Sequence, residues 1–226
     1  MPYVSAARGT SERADRPSAS TSGDEAIAFA VRSASMSAIS SGDEASIAVR
    51  RFADRSEAGL ERVQELVNSP IQFDYESGLI TTDEFFAAVR DGAGFRGNRA
   101  EFVEIFADIF SPMERMIPFF DRVKVAGIPT YVFSNTNEIA IGHIRDRFSF
   151  YSRFDGYVLS FEEKGMKPDE PIYRVVEQRT GESGDAILYI DDRPENIETG
   201  KRFGWQTILQ SDEAQSVATA EKLLGL

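Results

Sequence analysis

"ILYIDDRPENIETG", residues 187–200, is an apolar run that ends in two adjacent carboxylates and then opens a helix. Ile187 to Ile190 have the length and composition of a buried strand. Asp191 and Asp192 follow with no spacer, and like charges at a strand end are costly unless something positive stands beside them. The stretch has an ordinary reading as a strand-to-helix turn, because carboxylates favour helix N-termini. It also has a chemical reading. A hard divalent cation takes oxygen ligands and is commonly held by one or two carboxylates together with substrate oxygens, and such a cation would offset the repulsion between the two aspartates.

Outward from this stretch, strands and helices alternate. "IPTYVFS" (128–134), "GYVLS" (156–160), "DAILYID" (185–191) and "WQTILQ" (205–210) read as strands. "NEIAIGHIRDRF", "DEPIYRVVEQRTG", "ENIETGKRFG" and the terminal "DEAQSVATAEKLLGL" read as helices. Alternation of this kind predicts an α/β fold, a Rossmann-like parallel sheet covered by helices. Earlier in the chain, "FADRSEAGLERVQELV", "TTDEFFAAV", "NRAEFVEIFADIF" and "PMERMIPFFDRVKVAG" have helical spacing, the second with a Thr/Asp cap and the last closed by Gly127. Four consecutive helices predict a small helical subdomain beside the sheet. "AIAFAVR" (26–32) is apolar enough for a short strand, though its length leaves a helix open, and residues 1–25 are polar, aperiodic and expected to be disordered. "SGDEA" occurs at 22–26 and again at 41–45, a compositional coincidence rather than a repeat.

Composition removes several classes of function. A net charge of −12 argues against a nucleic-acid partner, which would need a basic footprint. With no cysteine there is no disulfide, thiolate metal site or thiol nucleophile. The single histidine, His143, rules out a multi-histidine metal site and weakens any histidine triad; on its helix it reads as a surface or packing residue. No apolar run reaches membrane-spanning length and no secretory signal stands at the start, so a soluble, cytoplasmic protein with no membrane partner is expected.

In an open parallel sheet, ligands bind outside the carboxyl ends of the strands. Three strand ends here carry polar residues unsuited to a core. "YVFSNTN" delivers Ser134, Asn135 and Thr136; "GMKPDEPIY" delivers Lys167, fixed by Pro168 before a helix; the third is the pair Asp191 and Asp192. Singly, each reads as a helix cap or a solvated boundary. Together they offer hydroxyl and amide donors, an ammonium and two carboxylates, which suits a phosphoryl group bridged by a cation.

This order resembles the haloacid dehalogenase superfamily of phosphohydrolases over about residues 51–226. "YVFSNTN" is similar to its second motif, with Ser134 as the phosphate-binding hydroxyl. "GMKPDEPIY" is similar to its third, with Lys167 neutralising phosphate and nucleophile. "LYIDDRPENIETG" is similar to its fourth, with Asp191 and Asp192 as magnesium ligands and Asn196 in a supporting turn. "YESGLITTDEFF" (75–86) resembles the helical cap of the branch that includes sugar-1-phosphate phosphatases and the N-terminal domain of soluble epoxide hydrolases. The resemblance implies Mg2+ as cofactor and a small phosphorylated metabolite as partner. It implies catalysis by Lys167, Ser134 and Asp192, with Ser134, Asn135, Thr136 and Lys167 binding the substrate. It also implies a division into a terminal segment (1–25), a first-strand region (26–50), a helical cap (51–115) and an α/β core (116–226).

One piece of the resemblance is missing. The family's first motif is a strand ending in Asp-x-Asp or Asp-x-Gly-Asn, whose leading carboxylate attacks phosphorus. No such motif precedes residue 75; the chain reads "AVRSASMSAISSG" where it is expected, and neither Asp43 nor Asp54 follows an apolar strand. "AIAFAVR", as a substitute strand, would deliver Arg32 or Ser33 in place of the Asp. Codon degeneracy permits a shifted frame across "ASMSAIS" to read Phe-Asp-Val-Gly-Asn-Leu, about forty residues ahead of Glu76, as this branch requires. The expectation is therefore a phosphatase ancestry with impaired turnover. The alternatives are a non-catalytic phosphometabolite-binding or interaction protein, and a 2-haloacid dehalogenase, for which paired metal-binding aspartates are not needed.

Overall fold

The computed structural model of the protein describes residues 26–29, 44–107 and 113–226. The N-terminal segment expected to be disordered, Arg32, Ser33, Asp43 and the whole of "AVRSASMSAISSG" lie outside the described residues.

Five strands form one sheet: β1 (Ala26–Phe29), β2 (Thr130–Ser134), β3 (Gly156–Leu159), β4 (Ile187–Asp191) and β5 (Gln206–Leu209). Their order is β3-β2-β1-β4-β5, and every neighbouring pair is parallel. "AIAF" is thus a strand, and it occupies the middle of the sheet. Its register places Phe29 beside Val132 on one side and Ile190 on the other. The described part of β1 stops one residue short of the level of Asp191 and two short of Ser134.

Strand side chains alternate between the two faces of the sheet, as a period of two requires. Phe133, Ile187 and Tyr189 pack with Tyr173, Val176 and Trp205 on one face. Leu188 and Ile190 pack with Phe119, Val123, Ile208 and Ala220 on the other. Both faces are buried, which is why β4 reads as a continuous apolar run.

Helices α1 (Glu44–Asp54), α2 (Leu60–Val67), α3 (Pro70–Glu76), α4 (Thr82–Ala93) and α5 (Arg99–Ala107) precede β2 together with α6 (Met116–Val125). The first helical stretch of the sequence, read as one element over 52–67, is two. The chain leaves helix at Arg55 because "RSEAG" offers no apolar stripe, and Glu57 and Ala58 donate instead to the carbonyls of Gly94 and Ala93. α3 was not anticipated; Pro70 starts it at the position where a missing N–H costs nothing. α4 begins with the expected cap, Thr81 and Glu84 satisfying each other's backbone amides. Gly127 ends α6 with φ of 76°, a left-handed geometry that favours glycine. An aromatic cluster of Phe52, Tyr75, Phe85, Phe95, Phe102 and Phe106 holds α1–α5 together and reaches Ile139. The remaining helices are α7 (Glu138–Arg147), the short α8 (Ser160–Glu163), α9 (Glu170–Thr180), α10 (Pro194–Arg202) and α11 (Glu213–Leu224). None of the described helices is long and apolar enough to cross a membrane.

Candidate active site

The strand ends that the sequence singled out meet at the carboxyl edge of the sheet. Lys167 reaches across from the loop before α9, and its Nζ donates to Asp191 Oδ2 at 2.7 Å and to the Phe133 carbonyl oxygen at 3.0 Å. Both ends of this ion pair are sealed, with side-chain exposures of 0% and 1%. The ammonium also lies 4.8 Å from the Phe133 ring centroid and 5.8 Å from that of Tyr189, over faces that attract a cation. Two of its three protons are spent on Asp191 and Phe133 among the described residues.

Asn135 fixes the lysine's backbone. Its Oδ1 accepts from the Lys167 amide and its Nδ2 donates to the Lys167 carbonyl, both at 2.8 Å. The side chain pairs with residue 167 as a neighbouring strand would. Ser134, buried at the end of β2, has a hydroxyl whose one partner among the described residues is the Asn135 carbonyl at 3.3 Å. That is long for an O–H donor, so the hydroxyl is poorly held and well placed to turn to a ligand. Thr136 is anchored through its amide, which donates to Ser160 Oγ at 2.8 Å.

Asp191 is surrounded by donors. Lys167 and the Tyr189 hydroxyl, at 2.5 Å, donate to Oδ2; the Arg193 amide, at 2.8 Å, and Asn196 Nδ2, at 3.0 Å, donate to Oδ1. Burial pushes its proton affinity up, but the Lys167 charge and these hydrogen bonds outweigh burial and hold the carboxyl below the usual carboxylate range. The positive charge beside the aspartate pair is therefore, first, Lys167, helped by the N-terminus of α10. Asn196 lies in the first turn of α10, its carbonyl accepting from the Tyr173 hydroxyl at 2.9 Å. Its side-chain Oδ1 is buried with no hydrogen-bond partner.

The oxygen-only donor set of Asp191, Asp192 and Asn196 Oδ1 suits a hard cation in type. Asp191 would have to give up one of its four donors to bind it, and no third Asp, Glu, His or Cys joins the pair among the described residues. A cavity of about 680 Å³ opens beside Asp191 and Asp192, with Met113, Arg115, Gln210 and Asp212 on its other walls.

The sequence reading missed two contributors. Tyr189 stands two residues before Asp191 on the same strand, so a period of two already puts both on one face. Glu76, inside the "YESG" stretch, is buried at the end of α3. Its carbonyl oxygen accepts from Ser160 Oγ at 2.6 Å, the same hydroxyl that takes the Thr136 amide. Burial pushes the Glu76 carboxyl up to about 7, against the opposing pull of a Gln72 hydrogen bond and the Arg193 charge. His143 lies half-buried on α7 near Phe148, away from these strand ends.

The family model described as "Hydrolase: haloacid dehalogenase-like hydrolase" matches residues 21–204. The chain is 22% identical over 171 residues to the sesquiterpene phosphatase astK of Aspergillus oryzae, a match covering 75% of this chain and 87% of that protein. A predicted HAD-like family hydrolase from Porphyromonas gingivalis superposes with a TM-score of 0.73 at 20% identity, covering 89% of this chain and 98% of that one. A HAD family enzyme from Bacteroides thetaiotaomicron, solved with magnesium and inorganic phosphate, superposes with a TM-score of 0.66 at 19% identity, covering 83% and 94%.

Proposed function

Because the chain belongs to the haloacid dehalogenase-like hydrolases, we propose that its strand-end site binds a small phosphorylated metabolite together with Mg2+ and hydrolyses it poorly or not at all. The observation that carries this reading is the gathering of phosphoryl-type donors and paired carboxylates at the strand ends beside a first motif that cannot be recognised in the sequence. Lys167, Ser134 and the aspartate pair are all at the sheet edge, yet residues 30–42, which follow β1, contain no Asp or Glu.

In this reading the Ser134 hydroxyl and the remaining proton of Lys167 donate to phosphoryl oxygens, and the backbone around Asn135 and Thr136 fixes where they point. Asp192 holds Mg2+ with Asp191 beside it, and the ion, when bound, supplies positive charge against the phosphoryl oxygens. The family's reaction needs a carboxylate to attack phosphorus and release the alcohol. Without that nucleophile, binding survives and turnover falls by orders of magnitude. Helices α1–α5 take the role of the cap over the site, and a cytoplasmic location belongs to the same proposal.

The structural likenesses support the fold. The likeness to a sesquiterpene phosphatase supports phosphate-ester chemistry over dehalogenation. Four measurements test the reading. Phosphate should raise the melting temperature only with Mg2+ present, and chelation should abolish the rise. Phosphomonoesterase assays at high protein concentration should show little release, and rapid Mg2+-dependent release would overturn the impairment. Halide release that ignores chelators would favour a dehalogenase. Sequencing the codons for residues 26–50 decides the origin. A shifted frame spelling Phe-Asp-x-Gly-Asn marks a displaced reading frame, and restoring it should restore hydrolysis.

A further inference from the structure

Ser160 has three hydrogen-bonding neighbours and, in the site described above, no task. It is fully buried and stands one residue beyond Leu159, which β3 sets beside Ser134 of β2. The paired residues of these strands end there, and the Ser160 side chain carries the ladder one step further. Its Oγ accepts from the Thr136 amide at 2.8 Å and lies 3.0 Å from the Thr136 carbonyl oxygen. A third neighbour comes from outside the sheet: the carbonyl oxygen of Glu76, the last residue of α3, at 2.6 Å. A hydroxyl has one proton for these two carbonyls, and the shorter distance gives it to Glu76.

The segment that begins with Ser160 grips the turn after α3 at two more points. Lys164 Nζ donates to the Gly78 carbonyl oxygen. Gly78 has a φ of 63°, and any side chain there would run into the Phe161 carbonyl oxygen, so α8 and the turn meet backbone against backbone. Lys164 itself holds a φ of 55°, and it is the one non-glycine residue with positive φ among the described residues. Strain of this kind persists only where the surrounding contacts hold it in place. A hydroxyl that donates its proton becomes a better acceptor. Seating the Glu76 carbonyl on Ser160 therefore tightens the hold of Ser160 on the Thr136 amide, two residues from Ser134.

We propose that Ser160 is a positioning residue whose hydroxyl couples the turn after α3 to the loop carrying Ser134, so that the seating of this turn on α8 sets the affinity of the strand-end site for phosphate. This rests on the phosphoryl-site reading above and adds to it a residue that touches no ligand. When the Glu76 carbonyl is drawn away, the Ser160 proton passes to the Thr136 carbonyl, which shifts that peptide and with it the setting of the Ser134 hydroxyl. The coupling is reciprocal, so bound phosphate holds the turn more firmly on α8.

The test is a calorimetric titration of the full chain with inorganic phosphate and Mg2+, made on the unsubstituted protein, Ser160→Ala, Gly78→Ala and the double variant. Each single variant should weaken phosphate binding about tenfold. The double variant should lose little more than Ser160→Ala alone, because without the hydroxyl the turn has no route to the loop. Hydrogen exchange at the Thr136 amide should quicken in Gly78→Ala, although Ser160 is intact there; a merely structural role for Ser160 would leave that rate alone. Lys164→Met, at an exposed position, takes the place of Gly78→Ala in every arm if the latter fails to fold. If Ser160→Ala fails to fold, the Thr136 exchange rate in Lys164→Met decides, a faster rate supporting the coupling and an unchanged one overturning it. Unchanged affinity in either folded single variant, or losses that add in the double variant, overturns the inference and leaves the phosphoryl site standing. Failure of the unsubstituted protein to bind phosphate overturns the site itself and the inference with it.

Discussion

Lys167 and Asp191 are bonded at 2.7 Å in a setting that excludes water from both. Such a pair is not in itself a large source of stability, since desolvating two charges offsets much of their attraction. Its chief effect is that neither partner can be removed alone.

Lys167→Met should therefore cost about 3–5 kcal/mol in urea unfolding, by leaving Asp191 charged and buried. Lys167→Met with Asp191→Asn should be less destabilised than the single variant. A double variant as unstable as the single one would show that the pair is not coupled.

Two buried carboxyls give stability opposite slopes with pH. Glu76 is raised from about 4.5 to about 7, so between those values the folded state keeps a proton that the unfolded chain releases. Its contribution is full below about 4.5 and is lost as pH rises through about 7. Asp191 is lowered, so its contribution is present above the usual carboxylate range and is lost as pH falls through its folded value. Glu76→Gln should flatten the decline between about pH 5 and 7 and leave the acid limb intact, as read by urea midpoints across pH.

Asn135→Ala removes both side-chain bonds to the Lys167 backbone. The expected cost is about 2 kcal/mol, from two net hydrogen bonds and a newly unmatched amide. Phosphate affinity should fall about tenfold with it, because the lysine loses its placement. Unchanged affinity would mean that the bonds of the Lys167 ammonium to Asp191 and the Phe133 carbonyl suffice to position it.

Phe102 has ring centroids of Phe52, Phe85, Phe86, Phe95 and Phe106 within 6.0 Å. Phe102→Ala should cost about 3–5 kcal/mol. If α1–α5 unfold as a separate unit, thermal melts of this variant will show two transitions, the sheet melting later.

The sheet was legible because its strands are buried on both faces and so appear as unbroken apolar runs. The site was legible because Ser134, Lys167 and Asp191 each end or follow such a run. Glu76 was not, since its position depends on Ser160, 84 residues further on. No local pattern records that meeting. The break at Arg55 escaped because apolar spacing resumes on both sides of it, and the two helices differ from one only in where they point. β1 was ambiguous because four residues carry too little periodicity to separate strand from helix.

That central strand also dictates a timetable. Ala26 pairs with Ile187 and Ile27 with Thr130, and among the described residues β1 pairs with no strand nearer in sequence than β2. During synthesis, β1 leaves the ribosome long before either partner exists, and the sheet cannot close until the chain has been made through Leu209. Helices α2–α5 have their partners early and can assemble while the core waits. Closure of this sheet is thereby a late event at the ribosome, and of the described strands β1 is the one kept longest without neighbours.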